Sequence, residues 1–528
     1  MNLKTNQSTI VVTAQQMQEI EQKLFVNQMP VASLMEKAAL LASQKFMGVY
    51  PPQDYPQVGI TIGCGHNGGD GLVMARELFL DGYNVSVYEP LAQKAKDLTQ
   101  FHSNYARFLG INFVDNIEDL RSTDVIIDAL FGFGLTRSIA GQLKEDIDTL
   151  NQWQKPVVSI DLPSGIHTDT GNVLGIGVKA RHTFCLGLWK RGLWQKSALE
   201  YIGNPHLIDI GIPEKVITES IDLKNSVQLM SIDRVKEILP LPRSLNTHKY
   251  QQGNALIIAG SQQYAGASLL SAYGANSAGI GMLTMVVPSA IKLLINSNLP
   301  SALAVEAPQT ESGEFSALPI ADLNLSRYDT IAWGMGIGRN LNETVRQSFQ
   351  ELLTADNILL IDADGLNLLV QENWLPLLKQ RSNASILTPH EGEFARLFPE
   401  INLTENPSEA IKQASLESNS IILLKGAKTL ICDRGGKVWI IPEGTPALAR
   451  GGSGDVLSGL LTALVSQGDY ENYSIADMVA VGAWLHQQAG ILATKDVSEM
   501  GVDGVVLAEY IKKTICNINK NLPLFTQI

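Results

Sequence analysis

The sequence predicts an α/β protein of two domains, each built on a parallel sheet. Three observations carry that expectation. At 528 residues the chain exceeds what one hydrophobic core usually supports, so two domains, or three, are expected. Short, apolar, β-branched runs alternate with longer amphipathic segments, the pattern of strands buried on both faces and joined by helical crossovers. The alternation also lapses once, in the polar stretch Ile212–Asp233, and then restarts.

In the first half, strands are expected at Val58–Ile62, Val85–Tyr88, Val125–Ala129 and Val157–Ile160, with a helix over Gly71–Leu80. The boundary falls around Leu223–Ser231, giving domains over 1–225 and 226–528. In the second half, Ala255–Ala259, Leu283–Val287, Thr330–Trp333, Ile358–Ile361, Ser385–Thr388 and Ile421–Leu424 read as strands. Thr429–Cys432 and Val438–Ile441 flank Arg434-Gly435-Gly436, a hairpin signal, and a long helix opens near Gly454. No residue-level repeat links the halves.

Hydrophobic residues make up 45% and charged residues 18%, which fits a folded chain and excludes a disordered one. A net charge of −13 argues against nucleic acid and anionic membrane as partners, while leaving room for a local pocket that holds a phosphate. Cys64, Cys185, Cys432 and Cys516 are scattered with no C-x-x-C pair, so zinc and thioredoxin-type chemistry lack support and a reducing compartment is expected. Met1–Val12 does not read as a signal peptide, and no run of about 18 apolar residues suggests a membrane span. The expected location is the cytoplasm.

Chemistry concentrates at strand ends. Gly63-Cys-Gly-His-Asn-Gly-Gly-Asp-Gly71 follows a strand and precedes a helix, where an open α/β sheet binds its ligand and glycines let backbone N–H groups approach a phosphate. It lacks the G-x-G-x-x-G spacing, which disfavours a standard dinucleotide fold. The next strands end in Asp128, followed by Leu-Phe-Gly-Phe-Gly, and in Asp161-Leu-Pro-Ser164-Gly165. A single strand-end Asp is more often a helix cap than a catalyst. Three polar strand ends in one half weigh toward a site.

These segments resemble the NAD(P)H-hydrate epimerase domain from about Thr13 to Ile212, and the resemblance implies a Rossmann-like three-layer parallel sheet. It further implies a potassium ion held by Asn67, Asp128 and Ser164. The hydrate would be contacted by His66, Asn67, Gly68, Gly69 and Asp70, by Gly132, Phe133, Gly134, Leu135, Thr136, Arg137 and Ser138, and by Asp161. Asp161 is the expected acid/base, since a carboxylate beside a carbinolamine carbon can shuttle the proton that inversion needs; ring opening and dehydration–rehydration both stay open as routes. His66 stands where the family usually has Asn, and a neutral imidazole is the expected polar substitute.

In the second half, Arg450-Gly-Gly-Ser-Gly-Asp455 opens an apolar helix, and consecutive N–H groups at a helix start form an anion hole. G-x-G-D there resembles the ribokinase-like enzymes, α/β sandwiches in which the Asp acts as base toward a hydroxyl and the N–H groups hold the transferred phosphate. Lys425-Gly-Ala-Lys428-Thr429, Thr388-Pro-His390-Glu391-Gly-Glu393, Gly334-Met-Gly336-Ile-Gly338, Ile361-Asp362-Ala-Asp364 and Gly260–Ala267 follow in the order of the NAD(P)H-hydrate dehydratase family, which the chain resembles over about Ser231–Lys512. The resemblance implies nucleotide contacts from Lys425, Gly426, Ala427, Lys428 and Thr429 and from Gly452, Ser453 and Gly454. It implies hydrate contacts from Ala265, Gly336, His390 and Asp455, with Asp455 activating the ring hydroxyl. ADP with Mg²⁺ is the expected nucleotide, with ATP open, and the S form of the hydrate the expected substrate. Arg450 replaces a small residue and can point to solvent or to a phosphate. Gly365, where Ala is frequent, reads as a change of little consequence. The rivals are a ribokinase-like small-molecule kinase with a non-catalytic N-terminal binding domain, and an RNA-associated scaffold. Assembly beyond a monomer, as a homo-oligomer, is also implied.

Overall fold

The computed structural model describes residues 7–520, so residues 1–6 of the leader reading lie outside it. The chain separates into two compact units, with the break after Ser226. No helix among the described residues is long and apolar enough to cross a membrane.

The N-terminal unit opens with β1 (Ile10–Val12), α1 (Ala14–Val26), α2 (Val31–Val49), β2 (Gln57–Ile62), α3 (His66–Leu80) and β3 (Asn84–Tyr88). It continues through α4 (Asp97–Phe108), β4 (Asn112–Val114), β5 (Val125–Ala129), α5 (Gln142–Gln152), β6 (Val157–Ile160) and β7 (His182–Leu186). β8 (Trp189–Lys190), α6 (Leu199–Ile202), β9 (Asn204–Ile208) and α7 (Glu214–Thr218) complete it. Seven parallel strands lie in the order β4-β3-β2-β5-β6-β7-β9. β2 pairs with β3 on one side and β5 on the other, so the chain leaves it in opposite directions and a crevice opens at the carboxyl ends. Val58, Ile60 and Ile62 pack toward one apolar core and Ile126 toward a second, as a sheet covered on both faces requires. β1 pairs with β8 in parallel, which anchors the start of α1 beside Lys190.

The C-terminal unit runs β10 (Val227–Leu229), α8 (Ile232–Ile238), β11 (Asn254–Ile258), α9 (Ala265–Ser277), β12 (Met282–Pro288), α10 (Lys292–Asn298) and β13 (Leu303–Ala307). Next come β14 (Thr330–Trp333), α11 (Glu343–Leu352), β15 (Ile358–Ile361), α12 (Asp364–Gln371), α13 (Leu375–Lys379), β16 (Ser385–Leu387) and α14 (Glu391–Leu397). α15 (Pro407–Ser418), β17 (Ile421–Leu424), β18 (Leu430–Cys432), β19 (Val438–Ile440), α16 (Ser453–Ser466), α17 (Ile475–Gly501) and α18 (Gly504–Lys520) close it. Strands β13-β12-β11-β14-β15-β16-β17 are parallel, and the β18–β19 hairpin adds antiparallel. Asp433 builds the hairpin turn by accepting from the N–H groups of Gly435 and Lys437. Two glycines seat α16. A Cβ on Gly459 would meet the Ser271 carbonyl at 1.8 Å, and one on Gly274 the Val456 carbonyl at 2.1 Å, so α9 and α16 touch backbone to backbone. That contact fixes the helix whose first turn carries Asp455.

The α/β reading holds in both units. The strands that periodicity missed are mostly short or at a sheet edge, and β7, which lies inside the sheet between β6 and β9, was missed as well. β9 carries Pro205 and is an edge strand, where proline costs no ladder bond, and β13 is an edge strand that is mostly exposed or half-buried. The helix after β2 starts at His66 rather than Gly71, with Gly65 as its cap.

Candidate active sites

Much of the glycine run in the N-terminal unit is shaped by packing. A Cβ at Gly63 would lie 1.7 Å from the Leu130 carbonyl, one at Gly68 1.9 Å from the Gly63 carbonyl, and one at Gly71 2.5 Å from the Ala129 Cβ. These residues bring α3 close to the strand ends. Gly68 and Gly69 are therefore buried inside the first turn of α3, Gly69 under the Met35 side chain. His66, Asn67 and Asp70 instead line a cavity of about 1260 Å³, together with Gly132, Phe133, Gly134, Leu135, Thr136, Arg137 and Asp161. Ser138 is not on that wall; its Cβ packs toward Gly175. Met17, Phe25, Leu34 and Met35, from α1 and α2, form the opposite, apolar wall.

Asp161 is held on every side. Its φ of 69° lies in the left-handed region, which Asp tolerates better than most residues. Its N–H donates to the Phe184 carbonyl at 2.8 Å, and the N–H of Leu162 turns back to the Ile160 carbonyl at 2.9 Å. Oδ2 accepts from the Phe133 N–H at 3.0 Å, and Oδ1 from the Leu186 N–H at 3.4 Å. Lys190 Nζ stands 2.5 Å from Oδ1, with both side chains almost sealed from solvent, and also donates to the Leu186 carbonyl. Burial pushes the Lys190 ammonium down, but Asp161 outweighs it and raises its pKa, so the lysine stays charged.

Lys190 belongs to no motif and sequence reasoning missed it. The available signal was a lysine closing the apolar run Phe184-Cys-Leu-Gly-Leu-Trp, since a lysine is rarely buried without a partner. Glu21, from α1, was also missed. Burial lifts its carboxyl to about 7; Lys190 and Lys96 pull it down and Asp161 pushes it up. Asp70 is raised well above the usual carboxylate range by burial and by the Asp161 and Glu21 charges, which favours its protonated form. Burial and Lys96 lower His66, leaving a neutral imidazole.

Asp128 and Ser164 meet directly below this cavity. The buried Asp128 carboxylate accepts from Ser164 Oγ at 2.6 Å, the Ser164 N–H at 2.9 Å, Ser159 Oγ at 2.8 Å and the Leu130 N–H at 3.3 Å. Ser164 Oγ in turn accepts from the Phe131 N–H, one residue from Gly132, whose Cβ position lies 3.1 Å from Asn67 Oδ1. Among the described residues no cationic side chain pairs with Asp128, and burial raises its pKa despite those four bonds. A buried carboxylate neutralised only by dipoles, with the Asn67 Oδ1 oxygen close to Gly132, suits a monovalent cation that takes hard oxygen ligands.

In the C-terminal unit Asp455 is the third residue of α16, behind Gly452 at φ 90°. Burial lifts its carboxyl to about 7, and the Asp362 charge adds to this while Lys425 opposes it. Asp362, buried at the end of β15, binds Lys425 Nζ at 2.8 Å and Ser458 Oγ at 2.6 Å. Lys425 and these two hydrogen bonds hold its carboxyl below the usual range, against burial. Lys425 also lies 3.9 Å from Glu393 and 3.7 Å from the Cβ position of Gly454. Ser453, Gly454 and Asp455 thus sit over a lysine–carboxylate pair.

His486, missed from sequence, fixes the first turn of α16. Its Nε2 lies 3.0 Å from the Ser453 carbonyl, and burial drops its pKa to about 4, so it is neutral. Gly426 and Ala427 are exposed, Lys428 turns to the Pro442 carbonyl, and Thr429 Oγ1 donates to the Gly426 carbonyl. Gly336, at φ 66°, packs against Tyr264 and Ala267 and so lies beside Ala265 at the start of α9. His390 caps α14, with Nδ1 accepting from the N–H groups of Gly392 and Glu393. Arg450 donates to the Met500 and Val502 carbonyls, which gives it a structural partner. Gly365 is not inconsequential: a Cβ there would press on Ile361 at 2.9 Å and Gly334 at 3.1 Å.

Both halves match known proteins. A family model described as NAD(P)H-hydrate dehydratase matches residues 255–515, and one described as YjeF-related protein N-terminus matches residues 31–192. A bifunctional NAD(P)H-hydrate repair enzyme from Synechocystis sp. is 49% identical, covering 95% of this chain and 94% of its own. Its counterpart from Thermosynechococcus vestitus is 42% identical over 96% of this chain and 97% of its own. Among solved structures, an ADP/ATP-dependent NAD(P)H-hydrate dehydratase from Bacillus subtilis, co-crystallised with ATP and Mg²⁺, is 27% identical and covers 55% of this chain and 98% of its own, with a TM-score of 0.45.

Proposed function

The chain belongs to the bifunctional NAD(P)H-hydrate repair enzymes, and on that premise we propose how its two sites divide the work. The activity has two parts: epimerisation of hydrated NADH and NADPH, and dehydration of the hydrate back to the reduced cofactor. The kinase and scaffold alternatives give way to relatives that match across both units.

Epimerisation belongs to the cavity around Asp161. Its apolar wall and polar floor suit a dihydropyridine ring with a hydroxyl to be gripped. Asp161, fixed by Lys190 and the Phe133 N–H, takes and returns the hydroxyl proton. The neutral His66 and Asp70, whose carboxyl is pushed toward its protonated form, supply hydrogen bonds to a phosphate-bearing cofactor. Potassium would be held by Asn67, Asp128 and Ser164, where its charge offsets that of the buried carboxylate.

Dehydration belongs to the first turn of α16. Asp455 accepts the ring hydroxyl proton as the oxygen attacks the terminal phosphorus of ADP, and AMP leaves. Phosphate then leaves with the electrons of its carbon–oxygen bond as the ring nitrogen lone pair forms an iminium, and loss of a proton from the neighbouring ring carbon gives the dihydronicotinamide. The N–H groups at Ser453 and Gly454 and the Lys425 ammonium face the transferring charge. Among the described residues no three acidic, His or Cys side chains converge as a metal site. Mg²⁺, when bound with the nucleotide, would neutralise its phosphates beside Lys425 and the first turn of α16. The S form is the hydrate consumed here.

The observation that carries this division is the pairing in each unit of a lysine with a strand-end carboxylate beneath a separate ligand site. It is tested with purified epimers. Asp455→Asn should slow ADP-driven return of dihydronicotinamide absorbance by about 10³-fold, within the usual reach of general-base loss, and leave R–S exchange at the wild-type rate. Dehydration at an undiminished rate would remove Asp455 from its role.

A further inference from the structure

Inversion at the carbinolamine carbon needs a proton taken from one atom and another given elsewhere. Asp161 is placed to perform one of these tasks and not both. Its two oxygens are committed to Lys190, the Leu186 N–H and the Phe133 N–H, and its backbone is locked at positive φ. A second mobile acid in the same cavity would complete the inventory.

Glu21 fits that need. Helix α1 is fixed at its start by the Thr13–Gln16 capping box and by the Ala14 N–H donating to Asp169 at 2.8 Å, and it buries Met17, Ile20 and Leu24. Met17, Glu21 and Phe25 recur at helical spacing along the cavity wall. Glu21 is half-buried, and among the described residues no hydrogen bond or ion pair ties its carboxyl. The charged groups that act on it are Lys190 from β8, Asp161 from the end of β6 and Lys96 ahead of α4; its charge in turn acts on Asp70 of α3. His66 and Arg137 line the same space. Asp70 is the only other carboxyl among the lining residues besides Asp161, but it is deeply buried in α3, and burial with the Asp161 and Glu21 charges pushes its pKa well above the usual carboxylate range. Glu21 titrates at about 7, where both of its forms are populated. It lies before residue 31, where the match to the N-terminal family model begins.

We propose that Glu21 is the second proton-transfer group of the epimerisation cavity, acting as general acid toward the ring nitrogen while Asp161 acts on the hydroxyl. The proposal rests on the epimerase reading of this cavity. Asp161 accepts the hydroxyl proton; the carbon–nitrogen bond breaks, its electron pair goes to nitrogen, and nitrogen takes the Glu21 proton. The freed carbonyl turns its other face. Nitrogen returns its proton to Glu21 as it re-adds, and the new alkoxide recovers the proton from Asp161. No net proton or electron is exchanged.

The test uses the full-length protein and purified R and S hydrates without nucleotide. Wild-type exchange kcat/KM should fall above about pH 7 as the acid ionises. Glu21→Gln should slow exchange by about a hundredfold and lose that alkaline limb, while Glu21→Asp keeps the limb with a smaller loss. Dehydration of the S form should be unchanged in both variants, and the exchange retained by Glu21→Asp, together with a wild-type denaturation midpoint for Glu21→Gln, establishes that the N-terminal unit folds. A Glu21→Gln enzyme that exchanges epimers at the wild-type rate, with the limb intact, overturns the proposal and leaves the epimerase reading standing. A wild-type enzyme that exchanges nothing overturns that reading and the proposal with it.

Discussion

In the N-terminal unit Lys190 stands 2.5 Å from Asp161, the residue assigned the chemistry; in the C-terminal unit Lys425 stands 2.8 Å from Asp362 and leaves the assigned base, Asp455, outside the pair. The strained backbone differs in the same way. Positive φ falls on Asp161 itself in the first unit and on Ala363, beside Asp362, in the second. A carboxylate that only relays a proton within a closed cavity can be clamped to a cation. One that must deprotonate a hydroxyl during phosphoryl transfer is kept free, with a neighbouring carboxylate and burial raising its basicity. The lysine of the second unit is thereby left at the position where phosphate charge arrives.

The contrast breaks most visibly at the lysines. Lys190→Met should destabilise the N-terminal unit by about 3–5 kcal/mol, because it removes one partner of a nearly buried ion pair. Lys425→Met should cost less stability, since Lys425 is 22% exposed and Asp362 keeps its Ser458 bond, yet it should strip most of the dehydration rate. Denaturant midpoints of the two variants check this; equal losses would erase the distinction.

A smaller effect sharpens it. With the Asp455 carboxyl lifted to about 7, kcat/KM for dehydration should fall about tenfold per pH unit below that value, because the base must be ionised. The stability sign is opposite. The folded form binds the extra proton between the ordinary carboxyl range and about 7, so stability falls as pH rises through that window. A dehydration profile that is flat across neutral and mildly acidic pH would contradict the environment described for Asp455.

The fold was largely legible because buried parallel strands are continuous apolar runs, and those of the two sheet centres were read nearly residue by residue. Edge strands such as β9 and β13 escaped because proline, glutamate and partial exposure dilute the pattern. Motifs located Asp128, Asp161, Ser164 and Asp455, but they overstated the glycines. Gly68 answers to the close approach of the Gly63 carbonyl and Gly69 to Met35 of α2, three-dimensional constraints that spacing alone does not distinguish from ligand binding. Lys190, Glu21 and His486 were invisible for the converse reason. Each comes from an element distant in sequence and gains its role only when the sheet edge or a helix brings it to the site.

The most direct measurement is the extent, rather than the rate, of repair when Asp161→Asn meets an equal mixture of hydrate epimers and excess ADP. The absorbance should rise promptly by the S share alone and then stall, whereas the unaltered protein carries the mixture to completion. Completion by the variant at the wild-type pace, or a failure to consume even the S share, would contradict the separation of the two chemistries between the two units.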